Sequence, residues 1–209
     1  MVRNLPEEIV HEILCPALSV SDETFSASVF CQFPSQGRGH LDSNILLVSK
    51  LWLRVAIPLL YNVVILRSKG QAQTLALTLR SNSELGTLIK KLRVQGGYAS
   101  SMQWILQAAT KLTDICIALD WDRGDNASGL CRGLPLIDST RVILIYCDGL
   151  TPAQGKLVDL IVDCVPEWKN LVCLFNPLLF MLIFQSQAVF EMPHDNLPWV
   201  DDESINLLL

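Results

Sequence analysis

Leu112-Thr113-Asp114-Ile115-Cys116-Ile117-Ala118-Leu119-Asp120 places apolar residues at 112, 115 and 117 and a polar one at 120. The same spacing recurs along the chain, as Leu60, Val63, Ile65, Ser68 and then Ile89, Leu92, Val94, Gly97. It returns as Ser139, Val142, Leu144, Cys147 and as Trp168, Leu171, Cys173, Asn176. The unit starts at 60, 89, 112, 139 and 168 are 29, 23, 27 and 29 residues apart. Each unit therefore predicts one short strand, and steps of about 20–29 residues are those of a stacked repeat.

Helix starts lie between these strands. Ser68-x-x-Gln71, Ser100-x-x-Gln103 and Thr151-x-x-Gln154 match the capping box, and Pro152 takes the favoured first helical position. Leu157, Leu160, Ile161, Cys164 and Val165 continue the last of them at helical spacing. The stretch 127–137 predicts only a weak helix, because it contains Gly129, Gly133 and Pro135. Alternating strands and capped helices fit an irregular α/β solenoid resembling leucine-rich repeats, and equally describe an α/β protein with an open sheet. In the solenoid reading one strand face would grip a target protein, and because its residues are mostly apolar in the later repeats, either they are buried or the face is sticky. Its residues are Arg93, Gln95, Cys116, Ala118, Ile143, Ile145, Val172 and Leu174, with Arg93, Gln95, Cys116, Ile143 and Ile145 as the candidate target-binding set.

The N-terminal sixty residues carry a different pattern. Asn4 precedes Leu5-Pro6-Glu7-Glu8, combining an Asx cap, a first-turn proline and carboxylates near the positive end of the helix dipole. Val10, Ile13, Leu14 and Ala17 then make one apolar face, and Pro16 is expected to stop or kink the helix near Cys15. Residues 19–44, with six serines and Pro34, Gly37 and Gly39, predict a loop with one short helical piece around Phe25–Phe30. A helical pattern resumes over Ile45–Trp52 and runs towards Ala56, before Pro58.

Leu5-Pro6-x-Glu8-Ile9, Glu12-Ile13-Leu14 and Leu47-Val48-Ser49-Lys50-x-Trp52 resemble an F-box, an LPxE-I…IL opening with a VxKxW close. The segment from Arg54 to Tyr61, and the tract from Asn62 to Leu144, are similar to fungal (basidiomycete-type) F-box proteins. The resemblance departs in the spacer 19–44, which is longer than in the compact motif. It implies a small helical module that binds a Skp-type adaptor and, through it, the cullin of an SCF ubiquitin ligase. Carried over by motif position, Leu5, Pro6 and Ile9 would touch the adaptor. Ile13, Leu14, Val48 and Trp52 would complete the contact or the bundle behind it.

The expected fold is thus α+β: an F-box-like helical module over 1–58 with its long loop at 19–44, then a leucine-rich-repeat-like solenoid over 59–177. An irregular or truncated apolar tail follows over 178–209. Composition narrows the function classes. Of 209 residues, 50% are hydrophobic and 18% charged, and a net charge of −5 argues against a phosphate-backbone partner. The apolar run Leu178–Phe184 is too short for a spanning helix, which needs about 20 apolar residues. Seven cysteines without a CxxC pair, behind an acidic N-terminus, suggest free thiols in cytoplasm or nucleus.

No P-loop, GxGxxG, HExxH or GxSxG motif occurs, and His11 with Cys15 makes only half a metal site. No cofactor, metal or catalytic residue is expected. The leading expectation is a substrate-recruiting ligase adaptor holding an unknown target protein. A repeat scaffold without a ligase would instead bury Leu5, Pro6 and Trp52 within the chain. An α/β enzyme would need convergent titratable groups that the sequence does not offer.

Overall fold

In a computed structural model the chain folds as mixed helix and strand, and the structure describes residues 5–27, 47–119, 121, 125–145 and 151–175. The expectations on Asn4, Asp120, Cys147, Asn176 and the 178–209 tail lie outside them.

Five short strands form one parallel sheet: β1 (Val63–Leu66), β2 (Lys91–Val94), β3 (Asp114–Ala118), β4 (Arg141–Ile145) and β5 (Cys173–Phe175). Their order in the sheet is their order in the chain. Such a sheet lacks the reversal of strand order at which open α/β sheets form their ligand crevice. Helices α4 (Lys69–Ser81), α5 (Ser100–Ala108), α6 (Ser128–Gly133) and α7 (Pro152–Cys164) connect successive strands. Before them in the chain come α1 (Glu7–Leu18), α2 (Asp22–Ser26) and α3 (Lys50–Asn62).

Side chains alternate across a strand, so register decides which residues meet. Val64, Leu92, Ile115, Val142 and Leu174 stand in one row, and with Val94, Ile117 and Leu144 they face the helices. Ala76, Leu79, Met102, Ile105, Leu106, Leu130, Leu157 and Ile161 close that core from the helix side. The three central strands carry the expected apolar positions. The outer two are shifted by one side of the pleat: Val64 and Leu66, not Val63 and Ile65, join the core, and Leu174 replaces Cys173. Leu174 therefore belongs to the helix-covered face, against expectation, while Val172 is exposed ahead of β5.

The repeating polar contacts fall at the strand starts rather than at the expected ladder positions. Lys90 N–H donates to Asn62 O (3.1 Å), Thr113 N–H to Lys90 O (2.8 Å), Thr140 N–H to Thr113 O (2.8 Å) and Val172 N–H to Thr140 O (2.8 Å). The hydroxyls of Thr113 and Thr140 donate to the same two carbonyls. Ser68 and Gly97 act otherwise: Ser68 caps α4, and Gly97 N–H donates to Asp125.

Capping chemistry is legible to different degrees. Thr151 and Gln154 form the complete reciprocal box on α7. Ser68 accepts from Gln71 N–H, but the Gln71 side chain reaches back to Arg67 N–H instead. Ser100 does not cap α5, whose N-cap is Ala99 with φ 47°. Pro16 does not stop α1: the helix runs on to Leu18, where the N–H and hydroxyl of Ser19 both bond Cys15 O. Pro58 likewise lies inside α3, which continues to Asn62 and enters β1 directly. The domain boundary expected at 58/59 thus lies within α3.

Tyr98 ties the first two units together. Its hydroxyl, buried, donates to Leu66 O at 3.1 Å, and burial, with Asp125 nearby, pushes its pKa up to about 12. A folded-state value above the ordinary value near 10 adds stability that is complete below about pH 10 and is lost as pH rises towards about 12. Ultraviolet titration of phenolate is expected to show one tyrosine ionising near pH 12 together with unfolding. Tyr98→Phe should remove that component, and its persistence in the variant would refute the assignment.

Candidate functional site

Two surfaces gather the candidate residues. The first is on α1, whose apolar positions divide between two directions. Val10, Leu14 and Leu18 are buried against Ala56, with Leu51, Trp52, Val55 and Leu59 of α3 packed around them. Ile9 and Ile13, continued by Leu5 ahead of the helix, remain 46–47% exposed. Glu7, Glu8, His11 and Glu12 line a groove of about 620 Å³ on α1, where Glu7 pairs with Arg54 of α3. Leu47 and Val48, just before α3, and Leu53 on it are exposed as well.

Among the expected adaptor-binding residues, Leu5, Pro6, Ile9, Ile13 and Val48 are therefore at the surface. Leu14 is inside, because positions 10, 14 and 18 share the face turned to α3, and Trp52 is half-buried in the same cluster. Ser49 fixes the start of α3 by accepting from Trp52 N–H at 3.2 Å. Burying the exposed parts of five such side chains, roughly 300–400 Å² of apolar area, would contribute on the order of 8–10 kcal/mol before the entropy cost of association, from about 25 cal/mol per Å².

The second surface is the sheet face away from the helices. Val63, Lys91, Asp114, Arg141 and Cys173 make one row across it; Ile65, Arg93, Cys116 and Ile143 make the next. Arg93, Cys116, Ile143 and Ile145 are brought together as expected, and half-buried Gln95 follows β2. They are not open, however. Arg93 and Cys116 are 0% exposed, because α2 lies over them and buries Phe25 against Cys116, Ala118, Ile143 and Ile145.

The cover is held at both its ends. Asp22 accepts from Lys91 Nζ (2.7 Å) and from Arg141 Nη2 (2.6 Å) and Nη1 (2.9 Å), while Arg141 Nε donates to Asp114. The hydrogen bonds from Arg141 first, then Lys91, hold the Asp22 carboxyl well below the usual carboxylate range, and Asp22 in turn holds Arg141 up. The Phe25 ring lies 5.7 Å from Lys91 Nζ and 5.8 Å from the guanidinium carbon of Arg141, within cation–π reach. Arg93 donates to Phe25 O at 2.7 Å and to Thr24 O at 3.4 Å, and burial lowers its pKa. Ser21 caps the short helix through Thr24 N–H.

Asp22, Phe25, Lys91, Asp114 and Arg141 are the residues that sequence reasoning missed. The Lys90-Lys91-x-Arg93 cluster reads by itself as a solvated strand face. Asp22 lies in the serine-rich stretch expected to be loop, and Phe25 opens the one short helical piece expected there, which the structure places earlier, at Asp22–Ser26. The one local signal was the alternation of Lys91 with Arg93 on a strand whose other face is apolar.

Little on this face suits covalent chemistry. Burial pushes the Cys116 thiol up to about 11, which keeps it protonated and unreactive at neutral pH. Among the described residues no three His, Cys, Asp or Glu side chains converge as a metal site, and no helix is long and apolar enough to cross a membrane. The described cysteines are free thiols. No protein-family model, no curated protein and no solved structure matches the chain.

Proposed function

We propose that this chain is a substrate-recruiting adaptor of an SCF-type ubiquitin ligase. Its α1–α3 pair would act as an F-box-like module on a Skp-type adaptor, and its sheet and helices as an irregular leucine-rich-repeat-like solenoid that holds a target protein. The observation that carries the reading is the division of α1: Leu5, Ile9 and Ile13 are exposed at the motif positions while Val10 and Leu14 close the chain's own core. A repeat scaffold without a ligase role has no use for that stripe. It calls for Leu5, Pro6 and Trp52 to be buried within the chain; Leu5 and Pro6 are exposed, while Trp52 is half-buried against the α1–α3 core.

The role needs no catalytic residue. A helix pair that leaves an apolar stripe outward offers helix-on-helix docking to a partner, and sequential strands with one helix each extend a surface along the chain. Tethering a target beside a ubiquitin-loaded enzyme raises the effective concentration of its lysines, which is rate enhancement by proximity.

Co-expression of the tagged chain with a Skp-type adaptor tests this. The parent is expected to co-purify in a stoichiometric complex. Leu5→Asp/Ile9→Asp/Val48→Asp, all at exposed positions, should weaken it at least a hundredfold while leaving the circular dichroism spectrum unchanged. Failure of folded parent protein to bind the adaptor would overturn the role.

A further inference from the structure

Two features of the sheet face away from the helices fit a ligand rather than a core. It carries three cations, Lys91, Arg93 and Arg141, set around the apolar floor of Cys116, Ala118, Ile143 and Ile145. Among the described residues, the segment that lies over it is a single turn of helix, five residues long, remote in sequence and attached by polar contacts at its two ends. Asp22 and Phe25 are three residues apart, hence on one side of that turn. The carboxylate meets Lys91 and Arg141; the ring enters the floor between the same two cations. Charge and shape are thus both complementary to a carboxylate followed three residues later by an aromatic ring.

We propose that this face is a peptide-docking site which residues 21–27 occupy as an internal mimic, and that its external partner is a helical turn bearing Asp or Glu at one position and an aromatic residue three further on. The proposal rests on the reading that the sheet holds a target protein. It does not depend on the adaptor, so the two can fail separately.

The geometry gives each residue a part. Arg141 is the specificity determinant: it holds the incoming carboxylate through two hydrogen bonds while Asp114 on the neighbouring strand fixes its Nε. Lys91 contributes a second charge on the same carboxylate. Arg93, buried beneath, reads the backbone by donating to the carbonyl of the aromatic residue, which is independent of side-chain identity. The internal segment competes with any external one, so apparent affinity is reduced by the fraction of molecules in which the cover is closed. Opening the cover, rather than forming new contacts, then governs access.

Cys116 supplies the readout, since it lies on the floor under Phe25. In the full chain, alkylation of Cys116 by iodoacetamide, followed by peptide mass mapping, should be slow. Asp22→Ser/Phe25→Ser should accelerate it at least tenfold. The acetylated and amidated peptide Ser-Asp-Glu-Thr-Phe-Ser-Ala, added in trans, should restore protection in that variant. The same peptide with Phe changed to Ser should not, and Arg141→Glu added to the opened variant should weaken protection at least tenfold. Cys15, on α1 away from this face, should label at one rate throughout.

The proposal is overturned if the peptide leaves Cys116 labelling unchanged in a folded, opened variant, or if it protects equally after Arg141→Glu. Should the double variant fail to fold, Asp22→Asn alone decides: with the ion pairs to Lys91 and Arg141 removed while Phe25 is kept for folding, the cover should open part of the time and speed Cys116 labelling, and the peptide must slow it again. Peptide protection without adaptor binding would leave the docking site standing and sink the ligase role. Adaptor binding without peptide protection would do the reverse.

Discussion

Gly129→Ala is expected to destabilise the fold by about 3 kcal/mol, at the upper end of what overpacking costs. Position 129 lies in α6 where it meets the start of α5, and a β-carbon there would stand inside the carbonyl oxygen of Ala99. That carbonyl belongs to backbone, so no rotamer change can make room. Nor can the segment back away. Ala99 N–H donates to Asn126 O at 2.9 Å, Gly97 N–H donates to Asp125 Oδ2 at 2.7 Å, and Tyr98 is anchored to Leu66 O. Tyr98 and Ala99 both have φ of 47°, a conformation held only because these bonds on either side require it.

For a chain of this length about 3 kcal/mol lowers Tm by roughly 6–12 °C. Gly155→Ala is the control. It sits in α7 with nothing within 4 Å of the added carbon, and should raise stability by roughly 0.5–1 kcal/mol through helix propensity alone. Thermal unfolding of the two variants followed by circular dichroism measures both. Equal, small shifts would mean that α5 and α6 are not in close contact at Gly129.

The same glycine shows where sequence reading stops. Gly129 and Gly133 lower helix propensity, and read locally they predict a weak α6. In the fold they are the points where α6 can approach α5 closely, Gly133 lying under the Leu106 side chain. Propensity was outweighed by packing that a linear pattern does not contain. The strand–helix alternation was legible because the period of the apolar residues is a property of the chain itself. Central strands β2, β3 and β4 have both neighbours to enforce alternation, and their core positions match the pattern. Edge strands β1 and β5 have one neighbour each, and there the inward residues differ by one position from the pattern.

Of the cover over the sheet, a short helical piece near Phe25 was legible, but not where it docks. Asp22 and Arg141 are 119 residues apart, and neither residue's local context marks it as a partner. Phe25 was visible as the start of a short helical piece inside a polar stretch, with nothing to mark the sheet as its partner. Of the two outcomes that its apolar residues left open, the sheet face is the buried one, and the segment over it is a short helix within the serine-rich stretch. The residues proposed for target binding nevertheless converge, since strand period and register alone place Arg93, Cys116 and Ile143 in one row.

Ile13 and Leu14, adjacent on α1, are expected to give opposite results when each is changed to alanine. Leu14 is fully buried against α3, so Leu14→Ala leaves a cavity and should cost about 3 kcal/mol of stability. Ile13 is 47% exposed and should change stability by no more than about 0.5 kcal/mol. Its effect belongs to docking: an apolar anchor near the centre of an interface is worth about 1–2 kcal/mol when truncated, roughly a tenfold loss of affinity for the Skp-type adaptor. Urea unfolding of the chain alone and titration of the adaptor onto the folded chain separate the two quantities. If Ile13→Ala lowered stability as much as Leu14→Ala, the α1–α3 pair would be an ordinary hairpin closed on its own core. If it lowered neither stability nor affinity, the stripe would be exposed without being used. Only the crossed pattern, Leu14 moving stability and Ile13 moving affinity, fits a helix whose two apolar directions serve two different surfaces.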